Sequence, residues 1–413
     1  MMGGNVESKM PLEGIRVLEL SAWQMGPVAA RMLASLGAEV IKIENPEGGD
    51  PCRGFERIKG ISVRHKGGRS IHQEMYNSDK KGITLNLKSE KGIEALLRLV
   101  DRSDIFLTNL QYRALRGMGL DYETLANRNP KLIYARANGF GFKGPEADIL
   151  SMDILGQARG GIMHLVSLPG EDPRPITGGI SDQVGAFILA FGIMTALFVR
   201  DRYGIGQMIE TSQLGAMIKL LELPITAYCL VGHPWPSESH GETKNPLWNW
   251  YECKDGRWVV FAHLRSDPYW KDFATALGLE HLIDDPRFET HRIREENNKE
   301  LIAILERTLA QRTSGEWAER FAEFPRVSYT FINRISDLLT DPQVLANGYL
   351  CDVDHPLAGK VKMVGFPVQF SKTPARPFQR VAPELGEHTE EVLTEIAGYS
   401  WDEVGRLREE GAI

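Results

Sequence analysis

The segment ITGGISDQVGAFILAFGIMTALF places a carboxylate, Asp182, and a hydroxyl, Ser181, just after Gly178 and Gly179 at the start of a long apolar helix. A helix N-terminus carries partial positive charge from its unpaired N–H groups, so an ionised carboxylate is stabilised there. Glycine lacks a Cβ, so another backbone or a ligand can approach closely. Residue types alone leave two uses open. Asp182 or Ser181 caps the helix, or the carboxylate serves a ligand that the glycines admit.

Other chemistries find little support. The first strand-to-helix turn reads SAWQMGP and lacks the G-x-G-x-x-G glycines that wrap a dinucleotide pyrophosphate. No P-loop, G-x-S-x-G elbow or HExxH motif occurs. The ten histidines are scattered without metal-ligand spacing, so no metal centre is expected. Cys52, Cys229, Cys253 and Cys351 form no CxxC pair, and neither a disulfide framework nor a zinc site is indicated.

The elements that must position Asp182 begin with GIRVLELSAWQMGPVAARMLASLGAEVIKIE. This reads as a strand at Arg16–Leu20, a helix at 27–36 and a second strand at Glu39–Glu44, a βαβ unit. Pro27 suits the first turn of the helix and Gly37 a left-handed terminus. GITLNL, the amphipathic SEKGIEALLRLVDRS and DIFLTNL repeat the alternation, and KLIYARANGF adds a strand. The expected fold class is α/β, a mostly parallel sheet covered on both faces. GIGQMIETSQLGAMIKLLELP adds a strand and a helix ended by Pro224, which sets a first large-domain segment at 1–224. A smaller α+β domain is expected at 225–327, where six of the eight tryptophans lie and KDGRW reads as a hairpin turn. Residues 328–413 are expected to return to the large domain.

The 413 residues suit two domains, and the net charge of −7 offers no basic field for nucleic acid or an anionic membrane. The longest apolar run, 186–199, falls short of the roughly 20 residues of a bilayer span. A cytoplasmic protein is expected.

Together these motifs resemble the family III CoA-transferases, the group that includes formyl-CoA transferase, carnitine CoA-transferase and the 2-methylacyl-CoA racemases. The resemblance covers nearly the whole chain. It rests on LEGIRVLEL, LGAEVIKIENPEGGD, NSDKKGITLNLKSEKG, TNLQYRALRGMGLDYETL, NPKLIYARANGFG, SMDILGQARGG, the Asp182 segment, GIGQMIETSQLGAM and LGEHTEEVL, in that order. It implies a Rossmann-like large domain, a smaller domain on two linkers and an interlocked dimer, homomeric or paired with a related subunit. It implies no permanently bound cofactor, with coenzyme A as co-substrate and an acyl-CoA and a free carboxylic acid as partners.

The resemblance makes Asp182 the covalent nucleophile. It carries CoA contacts onto Gln24 and Met25, onto Leu85 and Lys88, onto Asn109, Leu110 and Gln111, onto Met118, and onto Asn138, Gly139 and Phe140. Asn45 stands where some relatives carry a basic residue after the second strand, and Arg113 is a candidate phosphate partner. The racemase branch has a histidine immediately before the aspartate that matches Asp153. This chain has Met152, which favours transfer over racemisation. A non-catalytic partner subunit is the remaining alternative, and Asp182 speaks against it.

Overall fold

Arg16–Leu20 (β1) alternates no polar residues outward, and four of its five side chains are buried, as a strand covered on both faces requires. The computed structural model describes residues 9–376 and 378–413. Around β1 lie Glu39–Glu44 (β2), Lys81–Thr84 (β3), Ile105–Thr108 (β4), Ile133–Asn138 (β5) and Gln207–Ser212 (β6). They form one six-stranded sheet in the order β3-β2-β1-β4-β5-β6, with every neighbouring pair parallel. The order reverses between β1 and β4. In an open α/β sheet that reversal opens a crevice at the carboxyl ends of the strands, where ligands bind.

Two apolar layers cover the sheet. On one face Leu18, Ile41, Phe106 and Tyr134 pack with Leu96 and Leu99 of the helix Glu90–Val100. On the other, Val17, Val40, Leu107 and Ala135 pack with Met25–Ser35 (α1) and with Ala186, Leu189 and Ile193 of the helix Ile180–Tyr203 (α2). The small residues of both helices allow this close approach to the sheet. At 24 residues, α2 is longer than the apolar run in the sequence and is long and apolar enough by composition to cross a bilayer. Eight of its residues are buried, and Arg200 near its C-terminal end pairs with Asp104 at 2.8 Å.

The chain divides into two compact units. The larger holds the described residues up to His164 with Arg174–His233 and Pro342–Ile413, and the smaller holds Leu165–Pro173 and Pro234–Asp341. These bounds depart from the expected 1–224, 225–327 and 328–413. Pro224 does not end a helix but sits in the first turn of Glu222–Val231, where its missing N–H costs nothing. Past residue 328, Tyr329–Phe331 adds an antiparallel strand beside Trp258–Phe261 in the smaller unit. The KDGRW turn joins Trp250–Glu252 to Trp258–Phe261, with Gly256 at φ 73°. Trp270 and Trp317 are buried in that unit's own core.

Candidate active site

The turn after β1 faces the crevice and is held from beneath by side chains. Lys42 donates to the Ser21 carbonyl at 2.9 Å and to Asp50 Oδ2 at 2.9 Å. Asp50 Oδ1 in turn accepts the Trp23 N–H at 3.2 Å. Asn109, at the end of β4, accepts the Ala22 N–H at 2.9 Å and donates to the Ala22 carbonyl at 2.7 Å. Beneath the turn, Glu19 meets Lys42 at 3.1 Å and Lys80 at 2.6 Å, all fully buried. Burial alone would raise the Glu19 carboxyl, but the two lysines outweigh it and hold it ionised. Burial lowers Lys80 to about 8 against the pull of Glu19. This framework keeps Trp23 at φ 63°, an unusual conformation for a bulky residue.

Gln24 follows, and its amide nitrogen lies 3.5 Å from the Gly178 carbonyl. Gly178 and Gly179 have φ of 99° and 78°, and a Cβ on Gly179 would lie 2.5 Å from the Gln24 amide nitrogen. Glycine is favoured there by conformation, and a side chain in its place would push the Gln24 amide aside.

Gly179, and neither Ser181 nor Asp182, is the N-cap of α2, and it has no side chain to cap with. The cap comes from Asp153, in the helix Asp153–Gly160, whose Oδ1 accepts the N–H of Ser181 at 2.7 Å and of Asp182 at 3.2 Å. Asp182 is thereby relieved of capping. Its Oδ1 accepts from Gln213 Nε2 at 2.7 Å, and Gln213 Oε1 accepts from Ser151 Oγ at 2.6 Å. Burial pushes the Asp182 carboxyl up to about 6, the Gln213 hydrogen bond opposing and the Asp153 charge assisting. Tyr76 is raised by burial and by the nearby charges of Asp182 and Asp153.

Two cavities meet at this crevice. One of about 760 Å³ is lined by Asp182 together with Gln24, Met25, Asn109, Leu110, Gln111, Asn138 and Gly139 of the expected residues. A second of about 1050 Å³ is lined by Asn45, Leu85, Lys88, Leu110 and Met118. Ala22 and Leu110 border both, so the two form a trough across the point where strand order reverses. Arg113 and Phe140 line neither; Arg113 is exposed, and Phe140 lies beneath the Arg159 guanidinium at 6.0 Å. The amides of Asn109 and Asn138 are engaged by backbone, Asn138 with Gly141 at 2.7 and 2.8 Å, so both shape the wall. Sequence reading missed Gln213 as a partner of Asp182, although it stands within the quoted motif GIGQMIETSQLGAM. It also missed the capping by Asp153, for which no local signal exists.

Away from the trough, folding gathers His65, Glu74 and His355, with ligand atoms all within 4.8 Å of one another. Both histidines accept backbone N–H groups at Nδ1, from Gly67 at 2.9 Å and from Leu357 and Ala358 at 3.1 Å. Each neutral ring therefore carries its proton at Nε2, the atom that faces Glu74. Arg69 also holds Glu74 at 3.1 Å. This donor set does not suit a metal.

The family model of CoA-transferase family III matches residues 12–389. The chain belongs to that family. A cinnamoyl-CoA:phenyllactate CoA-transferase from Clostridium sporogenes is 34% identical over 97% of this chain and 96% of its own length. A succinyl-CoA–D-citramalate CoA-transferase from Chloroflexus aurantiacus is 32% identical over 98% of both. Among solved structures, a CaiB/BaiF family protein from Brucella suis superposes with a TM-score of 0.81 at 30% identity, covering 94% of this chain and 100% of that one. As a family III CoA-transferase the chain is an enzyme that transfers CoA, and its homologues use CoA thioesters as co-substrates. The parallel sheet and its crevice are the family's fold.

Proposed function

We propose that the chain moves CoA from an acyl-CoA donor, succinyl-CoA among the candidates, to a larger carboxylic acid through a covalent intermediate on Asp182. One observation carries this reading: the Asp182 carboxylate stands in the cavity wall, freed from capping by Asp153 and engaged by a single hydrogen bond from Gln213 among the described residues. Its ionised form attacks the thioester carbonyl, giving a mixed anhydride and a CoA thiolate. The thiolate attacks the aspartyl carbonyl, forming an aspartyl-CoA thioester and releasing the donor acid. The acceptor carboxylate displaces CoA to form a new anhydride. The thiolate then takes the new acyl group and restores Asp182. Over the whole cycle one thioester is exchanged for another of similar energy, so no external energy source is needed. Gln24 and the left-handed Gly178 and Gly179 adjoin the reacting carboxylate, and Ile149, Leu150 and Leu155 give its cavity an apolar wall.

Met152 lines the same cavity, and its thioether cannot exchange an α-proton. This supports transfer over racemisation, and the absence of solvent deuterium from the product acyl group would agree. The decisive experiment incubates the enzyme with a panel of acyl-CoA donors, traps with hydroxylamine and locates modified peptides by mass spectrometry. Modification of Asp182, lost in Asp182→Ala, is expected. A turnover-competent enzyme that never labels there would overturn the reading.

The larger unit also exposes Phe187, Phe191, Met194 and Phe198, at spacings of four, three and four along one face of α2. Leu223, Leu230 and Val231 of the helix Glu222–Val231 are exposed as well. Such a stripe marks an interaction surface. A second copy of the chain is its proposed occupant, in an interlocked dimer, and a related subunit is the alternative that native mass measurement separates.

A further inference from the structure

The cavity that holds Asp182 contains a charged side chain whose donors are not all used. Arg136, on β5, is only 8% exposed and lines that cavity. Its Nε donates to Glu210 Oε1 at 2.6 Å, and Nη2 pairs with the same oxygen from the neighbouring strand β6. The rings of Tyr112 and Phe142 stand over the guanidinium at 4.1 and 4.0 Å. Glu210 therefore fixes one edge of the group and the rings fix its plane. The remaining nitrogen, Nη1, is buried and has no hydrogen-bond partner among the described residues.

A guanidinium in a protein stays protonated, and its N–H bonds lie in its plane. Rings over the faces stabilise the charge, but they cannot accept hydrogens that point edgewise. A buried donor left in this state costs free energy that a ligand oxygen recovers. The group is thus oriented in advance, with one pair of donors unspent, in the wall of the proposed reaction chamber.

We propose that Arg136 is an anion subsite that binds an oxyanion of the substrate through Nη1. Phe142, between Gly141 and Gly144 at φ 102° and 92°, covers the guanidinium from the loop after β5. The class of ligand is an acid with a second carboxylate, the first reacting at Asp182 and the distal one meeting Arg136. A phosphate of CoA has the same chemistry, but the neighbouring walls of this cavity, Trp23, Ile149, Leu150 and Leu155, suit it less well than a single carboxylate on a short chain. The inference rests on Asp182 marking the reaction chamber.

The test compares wild type with Arg136→Met, using succinyl-CoA against butyryl-CoA as donors and glutarate against valerate as acceptors. A loss of about tenfold or more in kcat/KM confined to the dicarboxylic partners is expected, the scale of one charge-assisted hydrogen bond. An equal rise in KM for both donors, with the acids unaffected, would assign the subsite to a CoA phosphate instead. Equal behaviour of all four substrates would overturn it. Titration of succinate and of butyrate into Asp182→Ala protein reads the subsite without catalysis and without altering Arg136. Preferential binding of succinate supports the subsite even if Asp182 never labels, whereas equal or absent binding of the two acids removes the carboxylate assignment.

Discussion

Asp153 accepts the backbone N–H of Asp182 at 3.2 Å and that of Ser181 at 2.7 Å, so one carboxylate caps the helix while the other faces the cavity. The division of labour has an electrostatic consequence. Two carboxylates sit close together, and with burial the second carboxyl is pushed up to about 6.

In the proposed mechanism Asp182 attacks as a carboxylate, so kcat/KM is expected to fall as pH drops through about 6, roughly tenfold per unit below it. Asp153→Asn removes a like charge and keeps an acceptor, moving this acidic limb to lower pH. Gln213→Leu removes a donor to the ionised form and moves the limb to higher pH. Rate profiles of the three proteins with a single donor check both directions.

Gly179→Ala forces an L side chain into φ 78° and against the Gln24 amide. A cost of about 1–3 kcal/mol in stability and a large loss of kcat are expected. Gly178→Ala meets no atom of the described residues within 4 Å, so it carries the backbone strain without the collision. Urea melts should rank the two similarly, while turnover should be lower in Gly179→Ala.

Lys42→Met leaves Glu19 and Asp50 short of a buried partner, and about 3–5 kcal/mol of stability should be lost. Asn109→Ala orphans the N–H and carbonyl of Ala22 and should cost about 1–3 kcal/mol. Because the turn carries Trp23 and Gln24, Asn109→Ala protein that remains folded should also show reduced kcat at saturating donor.

Phe191 is 74% exposed in the middle of the apolar stripe on α2. Phe191→Glu should shift native mass from dimer to single chain, with the smaller species losing activity if assembly completes the site. An unchanged mass would remove this face from the interface.

Much of the large unit was legible in its residues. The β1 and β2 boundaries follow from short runs rich in Val, Leu and Ile set off by glycine and by a helix, while the charges inside them, Glu19 and Lys42, found their purpose only when folding paired them. The approach of Gln24 to Gly179 agrees with reading the paired glycines as room for a neighbour. Pro224 misled, since a proline marks the first turn of a helix as readily as it marks an end, and only the following turn distinguishes them.

By itself the sequence determined the alternation of strands and helices, the carboxylate at the head of a long helix and, through its ordered motifs, membership of a CoA-transferring family. Only the tertiary structure decided the strand order that opens the crevice, the capping of Asp182's helix by Asp153, the hydrogen bond from Gln213 and the pinning of Ala22 by Asn109. These last three pairs lie 29, 31 and 87 residues apart. Periodicity and capping signals act within a few residues along the chain, whereas a site is made where distant strand ends are brought side by side by the packing of the sheet.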